Sequence, residues 1–463
     1  MTGSFFLLIA CAGLFVAIGL WIGRRAGSTD FFVAGRSLGP GLIFSTFLAA
    51  NIGASSTVGA TSLGYTEGLS AWWWNGSAGI GSLVLAFSIG PRIWREATAH
   101  GDLTVGDFLE RRYGRAMRGL VAMLIWLGTL TILAAQLLGV AAVLHVAGGF
   151  SLLAGCAIGA IVTLAYFTAG GLLSSAWVNL VQLLVIVAGF AVAVPFSLHA
   201  AGGWARLAAG AGSSVDVFAS SGPASGWRLL FLLGPAFIVS PGLLQKAYGA
   251  RDERAVRRGI GWNGIALMIF ACAPAAIGLA AHRLYPALGT ADLALPTILA
   301  GALPPSLGIL ALAAVFSAEV SSADAVLFML ATSASRDLYR GFIRPSATEA
   351  EVLRVARLAA LAGAIGGVGV ALVYGSVRAA VSVFYSILIV TLFVPIVGGL
   401  YMRRAGGREG LASILLGVPV LAITQYLTGG RGYGVLSPAL AGVLGSAVGF
   451  FAAHAMAIRD RVH

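Results

Sequence analysis

The sequence predicts an all-α polytopic membrane protein of about thirteen transmembrane helices, on three observations. Hydrophobic residues fill 59% of the 463 positions and charged residues only 10%, and the mean hydropathy is +0.93. Soluble domains carry far more charge than this. Apolar runs of about 20 residues, the length that crosses a ~30 Å hydrocarbon layer, recur along the whole chain. Basic residues collect between those runs, and mostly in alternate gaps.

On that ruler the spans fall at about 4–24, 40–66, 70–94, 116–146, 151–169, 173–198, 227–246, 258–281, 304–338, 351–374, 378–401, 410–428 and 435–457. The first run, Phe5–Ile22, has no basic residue before it and Arg24-Arg25 after it, so it reads as a membrane helix rather than a cleaved leader. The second contains a polar stretch, Ala49 to Thr57, with Gly53 inside it. The third opens on Trp72-Trp73-Trp74, an aromatic belt for its exterior end. Between the third and fourth, Val105–Arg112 is a short amphipathic piece for the cytoplasmic surface. Glycines spaced from Gly155 to Gly159 and from Gly363 to Gly369 suit close helix packing in the fifth and tenth spans. Ala200–Gly226 is the longest exterior loop. The seventh span holds Pro235 and Pro241, which remove backbone donors and kink it. Asp292–Pro305 fits a short re-entrant or surface helix at the exterior mouth. The ninth span carries a second polar stretch, Ser317 to Asp324.

With the N-terminus outside, 24 of the 29 Lys and Arg residues, Lys246 among them, fall in cytoplasmic loops; Arg206, Arg228, Arg283, Arg378 and Arg431 remain outside. This is the positive-inside asymmetry, and one misplaced helix in the middle would scramble it. The C-terminus then lies in the cytoplasm and the chain spans the plasma (inner) membrane. The net charge of +12 is explained by these loops, not by nucleic-acid binding. Cys11, Cys156 and Cys272 stand singly in apolar runs and suggest neither a disulfide framework nor a metal cluster. The chain has no H-E-x-x-H pattern, so neither an enzyme nor a cofactor is expected. A single membrane domain spans 1–463, with no soluble domain expected at either end.

Hydroxyls and carboxylates are tolerated in hydrocarbon only where they face protein or a watery cavity. A glycine-containing polar patch within a span marks a broken helix with free carbonyls, admissible only at a buried or cavity-lining position. Two such patches in separate spans point to a transport site near the bilayer midplane.

Four motifs extend this reading. Phe31-Phe32-Val33-Ala34-Gly35-Arg36 precedes the second span, and Ala49-Ala50-Asn51-Ile52 stands at its break. Gly170-Gly171 is followed by Trp177, Asn179 and Gln182, and Ser321-Ser322-Ala323-Asp324 by Arg336-Asp337-Leu338-Tyr339. In this order the chain resembles the sodium:solute symporter family over nearly its whole length. The resemblance implies a LeuT-like 5+5 inverted repeat with broken helices. Its halves would be spans two to six and seven to eleven, at about 40–198 and 227–428. No internal sequence similarity reveals that repeat.

The resemblance also implies a sodium site. It falls on the carbonyls of Ala49, Ile52 and Ala318 and the hydroxyls of Ser321 and Ser322. Positions 318, 321 and 322 share a helical face; the competing reading has the two serines bonding back to their own preceding turn. Where the family commonly has an Asp on the sixth span, this chain has Asn179. Asn179 and Asp324 are therefore a candidate second cation site, with a satisfied gate carboxylate or a proton acceptor as other roles for Asp324. Glu319 lies about 100° around the helix from Ala318. Substrate contact, proton carriage and a bond to a neighbouring helix are all open to it.

The implied solute site is lined by Asn51, Gly53, Ser55 and Ser56 of the second span. Phe237 and Ser240 of the seventh and Tyr385 or Ser386 of the eleventh complete it. A sugar carrier of the family resembles Glu-Gln where this chain has Ser55-Ser56, and a proline carrier has aromatics near Leu233 and Phe237. Both comparisons point away from those solutes. No arginine lies at midplane to clamp a carboxylate; a helix N-terminus or bound Na⁺ serves instead. The expected function is a sodium-coupled symporter importing a small organic solute: an organic acid, amino acid or vitamin-like acid. Its partners are that solute, Na⁺ and the lipid bilayer, and the inward release path opens between spans two, six and nine. The alternatives are a proton-coupled carrier using Glu319 or Asp324, and a symporter-like sensor domain without transport.

Overall fold

The computed structural model describes residues 36–459 other than 168–170, 211 and 221–224, together with Ala10, Gly13 and Ala17. The side chains of Tyr166, of 171–179 and of Ser213 are not included. The expected span at 4–24, the placement of the N-terminus, Phe31 to Gly35 and Gly170 therefore lie outside the described residues, as do the side chains of Trp177 and Asn179.

The second expected span is broken, as its polar stretch requires. Helix α1 (Pro40–Asn51) ends on Ile52, whose ψ of 89° leaves the helical range. The chain passes Gly53 and resumes as a wide π turn, Ser55–Gly59, that feeds α2 (Ala60–Glu67). Gly68, at φ +71°, turns the chain back. Then follow α3 (Trp72–Val84), a π turn and α4 (Gly90–His100). The short amphipathic piece is α5 (Val105–Tyr113), started by a capping box between Thr104 and Asp107. The first half continues through α6 (Arg115–Gly148), α7 (Leu152–Phe167) and α8 (Gly171–Ala200), with α9 (Trp204–Gly210) in the long loop.

The seventh expected span is also broken. Helix α10 (Leu230–Val239) stops at Ser240, whose ψ is 119°, and α11 (Pro241–Tyr248) starts afresh. Pro241 is the cause, because a residue before proline is pushed out of helical ψ. After α12 (Glu253–Phe270) and α13 (Cys272–Leu284), the mouth segment forms α14 (Ala294–Ala302). Helix α15 (Pro305–Thr332) runs on as a π segment, Ser333–Ile343. The last four are α16 (Glu349–Tyr374), α17 (Val377–Tyr401), α18 (Gly407–Thr428) and α19 (Pro438–Arg459).

Ten helical stretches among the described residues are long and apolar enough to cross a bilayer. Thirteen is not reached on that measure: the two expected spans that meet at the Gly68 turn count as one continuous helical stretch, Ser55–His100, the fifth is described only as Leu152–Ala165, and the first lies outside the described residues.

The repeat that left no trace in the sequence is visible in the packing. Three elements of the first half pack on their counterparts in the second: α3 on α12, α6 on α15, α7 on α16. The short α5 follows the third span as α14 follows the eighth. Backbones touch where glycine permits it. A Cβ on Gly79 of α3 would stand 2.7 Å from the Gly264 carbonyl of α12, and one on Gly64 of α2 would stand 2.9 Å from the Ala275 carbonyl of α13. Arg36 staples the start of α1 to the arginine-rich face, donating to the carbonyls of Tyr248 (3.2 Å), Ala97 (3.3 Å) and Asp102 (2.7 Å).

Candidate cation and solute site

A helix break strands backbone groups that must find partners when buried. Here side chains supply them. Ser56 Oγ accepts from the Gly53 amide at 3.1 Å and donates to the Asn51 carbonyl. Thr57 Oγ1 lies 2.9 Å from the Gly53 carbonyl, and the Ala54 amide donates to Gln136 Oε1 of α6 at 2.8 Å. The break is thus held from its own turn and from α6.

Helix α15 crosses α1 at this point. Ser321 Oγ stands 3.1 Å from the Ala49 carbonyl and 2.9 Å from that of Ala318. Ser322 Oγ stands 3.1 Å from the Ala49 carbonyl and 3.3 Å from that of Ala50. Ser321 thus bonds its own turn, as the competing reading held, yet both hydroxyls also reach across to α1. Ala49, Ala318, Ser321 and Ser322 converge in one buried spot, and Ile52 caps the helix end beside it with its carbonyl turned off the helix axis. Neutral oxygens converging in this way are the donor set of a small hard cation.

A cavity of about 60 Å³ adjoins the break. Six of the eight expected lining residues reach it: Asn51, Gly53, Ser55, Phe237, Ser240 and Tyr385. The Phe237 and Tyr385 rings sit 5.7 Å apart, bringing α10 and α17 together over it. Two do not line it. Ser56 is taken up by capping the break, and Ser386 Oγ donates to the Ser382 carbonyl of its own helix at 2.7 Å.

Sequence reasoning missed several contributors. The tryptophan run is more than an interfacial belt: Trp74 is buried, and its indole donates to Ser55 Oγ at 3.1 Å. Gln136 lines the cavity, and Asn51 donates to Asn263 of α12 at 3.1 Å. The largest correction concerns Lys246, which was counted in a cytoplasmic loop. It is 2% exposed, lines the cavity from α11, and donates from Nζ to the Thr46 carbonyl at 3.1 Å. The signal was available, because Lys246 lies only five residues beyond Pro241 and must share its helix.

The two carboxylates of the ninth span separate in role. Asp324 is buried and is the electrostatic partner of Lys246. Glu319 takes the third of its open roles: its Oε1 lies 2.7 Å from Thr57 Oγ1, tying α15 to the π turn after the break. Gly139 makes room for it, since a Cβ there would stand 2.7 Å from Glu319 Oε2. The side chain of Asn179 lies outside the described residues.

Below the cavity the path is shut. Met329 separates it from a second space of about 20 Å³ between α5, α6, α11 and α15. Among the described residues these helices flank the closed path, α15 being the ninth expected span. At its floor Asp337 accepts from Thr104 Oγ1 at 2.7 Å and from Arg118 at 2.9 Å, and Arg118 also pairs with Asp107 (3.0 Å) and Glu110 (2.6 Å). A vestibule of about 720 Å³ lies beyond, on the arginine-rich face.

The sequence model of the sodium:solute symporter family matches residues 31–417. The chain belongs to the sodium:solute symporter family. Among similar proteins of this family, a sodium/glucose cotransporter of Vibrio parahaemolyticus is 23% identical, over 89% of this chain and 83% of that one. A sodium/pantothenate symporter of Escherichia coli is 26% identical, over 86% of this chain and 84% of that one. In structure, a substrate-bound, outward-open Na⁺-coupled sialic acid symporter superposes with a TM-score of 0.84 at 17% identity, over 98% of this chain and 97% of that one. That likeness shows the fold, here with its broken helices and paired repeats. As a symporter family member the chain is a multi-pass membrane transporter coupled to Na⁺, not an enzyme.

Proposed function

We propose that this symporter imports a small organic acid, amino acid or vitamin-like acid with Na⁺ by alternating access. The convergence of the Ala49 and Ala318 carbonyls with the Ser321 and Ser322 hydroxyls carries the reading. Na⁺ binds there, with Ile52 as a further carbonyl ligand. Because two of the ligands sit on α1 and three on α15, the ion locks the broken helix to its neighbour. The solute binds next door, in the cavity floored by α11. Sodium and solute each favour the same state, so each raises the affinity for the other by the same factor.

The single domain occupies 1–463, with repeats at about 40–198 and 227–428. The arginine-rich face is cytoplasmic, which places the N-terminus outside and the C-terminus in the cytoplasm of a cell whose plasma (inner) membrane it spans. Asp324 acts as counter-ion to Lys246 rather than as ligand to a second cation.

The test is uptake into proteoliposomes holding the purified full chain. An inward Na⁺ gradient drives accumulation of a radiolabelled solute, and replacing Na⁺ by K⁺ abolishes it. Uptake that ignores Na⁺ and follows an imposed pH gradient would overturn sodium coupling.

A further inference from the structure

We propose that Lys246 is the residue that selects the solute, and that the solute is a short monocarboxylate whose anionic head meets its ammonium. The proposal rests on reading the cavity beside the α1 break as the solute site. Four observations carry it.

First, Lys246 is held where a charge is costly. An ammonium that is 2% exposed within a membrane-spanning helix pair persists only with partners. It has Asp324 behind it and the Thr46 carbonyl beside it. An ammonium has three donors; one goes to the Thr46 carbonyl, and the side chain lines the cavity, where a ligand can take another. Second, among the described residues no Asp or Glu lines that cavity. A solute cation such as a quaternary ammonium would meet Lys246 with no acid to hold it. The amino group of a zwitterion would also lack a charged partner. Third, Gly242 and Leu243 line the cavity from the first turn of α11. Their amides precede the first intrahelical bond, Leu244 N to the Ser240 carbonyl at 2.9 Å. They therefore offer free donors and the positive end of the helix dipole on the same side as Lys246. Fourth, the cavity is about 60 Å³. On this measure one water needs only ~10–15 Å³, so the space takes a small solute of a few heavy atoms.

The parts divide the work. Lys246 and the α11 amides bind the carboxylate, and Phe237 and Tyr385 cover the short apolar tail. Asp324 is a positioning residue that holds the ammonium in place while the cavity holds no anion.

The experiment is thermal unfolding of the purified full chain in detergent, in NaCl or KCl, with four acids and their amides. L-lactate, pyruvate, propionate and acetate are compared with lactamide, pyruvamide, propionamide and acetamide; choline and myo-inositol are added as a cation and a neutral polyol. At least one acid raises the melting temperature and its amide does not. In Lys246→Met the half-saturating concentration of that acid rises roughly 10- to 100-fold, the weight of one lost charge-assisted bond. Lys246→Arg keeps part of the response. The proposal falls if an amide matches its acid, if choline or myo-inositol stabilises and no acid does, if no acid shifts the melting temperature, or if Lys246→Met leaves the acid response unchanged. Should Lys246→Met fail to fold, the wild-type comparison of acid with amide decides by itself. The sodium reading is judged separately. An acid response equal in NaCl and KCl sinks sodium coupling and leaves Lys246 standing, and a Na⁺ response without an acid response does the reverse.

Discussion

Removing both hydroxyls in Ser321→Ala/Ser322→Ala tests the cation site most directly. Each hydroxyl lies 3.1 Å from the Ala49 carbonyl and supplies one of the five proposed ligands. Each net contribution is worth about 1 kcal/mol, so the pair is worth about 2 kcal/mol, or roughly 30-fold in Na⁺ affinity. The same loss can be read as stability. At 100 times its dissociation constant a ligand stabilises the fold by about 2.7 kcal/mol; a 30-fold weaker site cuts this to about 0.9 kcal/mol. The protein without Na⁺ loses on the order of 1–2 kcal/mol as well, because the hydroxyls bond α1 and α15 carbonyls. Thermal melts across a Na⁺ titration at constant ionic strength separate the two effects. Ser386→Ala is the control, since its hydroxyl serves only its own helix, and it leaves the Na⁺ titration where it was. If the double mutant titrates like wild type, the ion does not bind where these hydroxyls meet.

Other perturbations have equally definite outcomes. Gly53→Ala places a Cβ against the Ser322 side chain and 2.6 Å from Gln136 Oε1, so it weakens Na⁺ and solute together and costs about 1–3 kcal/mol, read by melting; an effect on solute alone would contradict this contact. The pair Lys246→Met and Asp324→Asn is non-additive. Each single change leaves a buried charge alone, and the double mutant recovers part of the loss, with a coupling of about 0.5–3 kcal/mol in unfolding cycles. Asp337→Asn removes the shared acceptor of Thr104 and Arg118 and loosens the lower closure. A cysteine at Thr332, in the space above that closure, then reacts faster with a thiol reagent added from the arginine-rich face; an unchanged rate would show that this cluster is not the barrier.

Both helix breaks were legible in the sequence, because each has a local chemical cause. Gly53 sits in a polar patch, and Pro241 forbids helical ψ at Ser240. Most of the cavity lining followed, since it clusters around those breaks. Lys246 was legible only in part: its distance from Pro241 puts it on the same helix, but a lone basic residue near a span end looks like a loop residue under the positive-inside rule, and only the course of α11 shows it lining the cavity. Trp74 and Gln136 were missed for another reason. Each touches the site from a different helix, at |i−j| of 19 from Ser55 and 82 from Ala54, and no local pattern records such pairings. The inverted repeat was invisible because packing of α3 on α12 and α6 on α15 needs only small and apolar faces, which many sequences satisfy.

The Lys246–Asp324 pair also bears on how the membrane voltage acts on transport. The two opposite charges belong to the protein and cancel, so rearranging the carrier around them moves little net charge through the field. What voltage acts on is the cargo. Each unit charge carried across 100 mV is worth about 2.3 kcal/mol. One Na⁺ travelling with a neutral solute would draw on that energy, whereas one Na⁺ with a monocarboxylate is electrically silent. In that case accumulation is set by the Na⁺ concentration ratio alone, and collapsing the potential leaves the uptake plateau where it was.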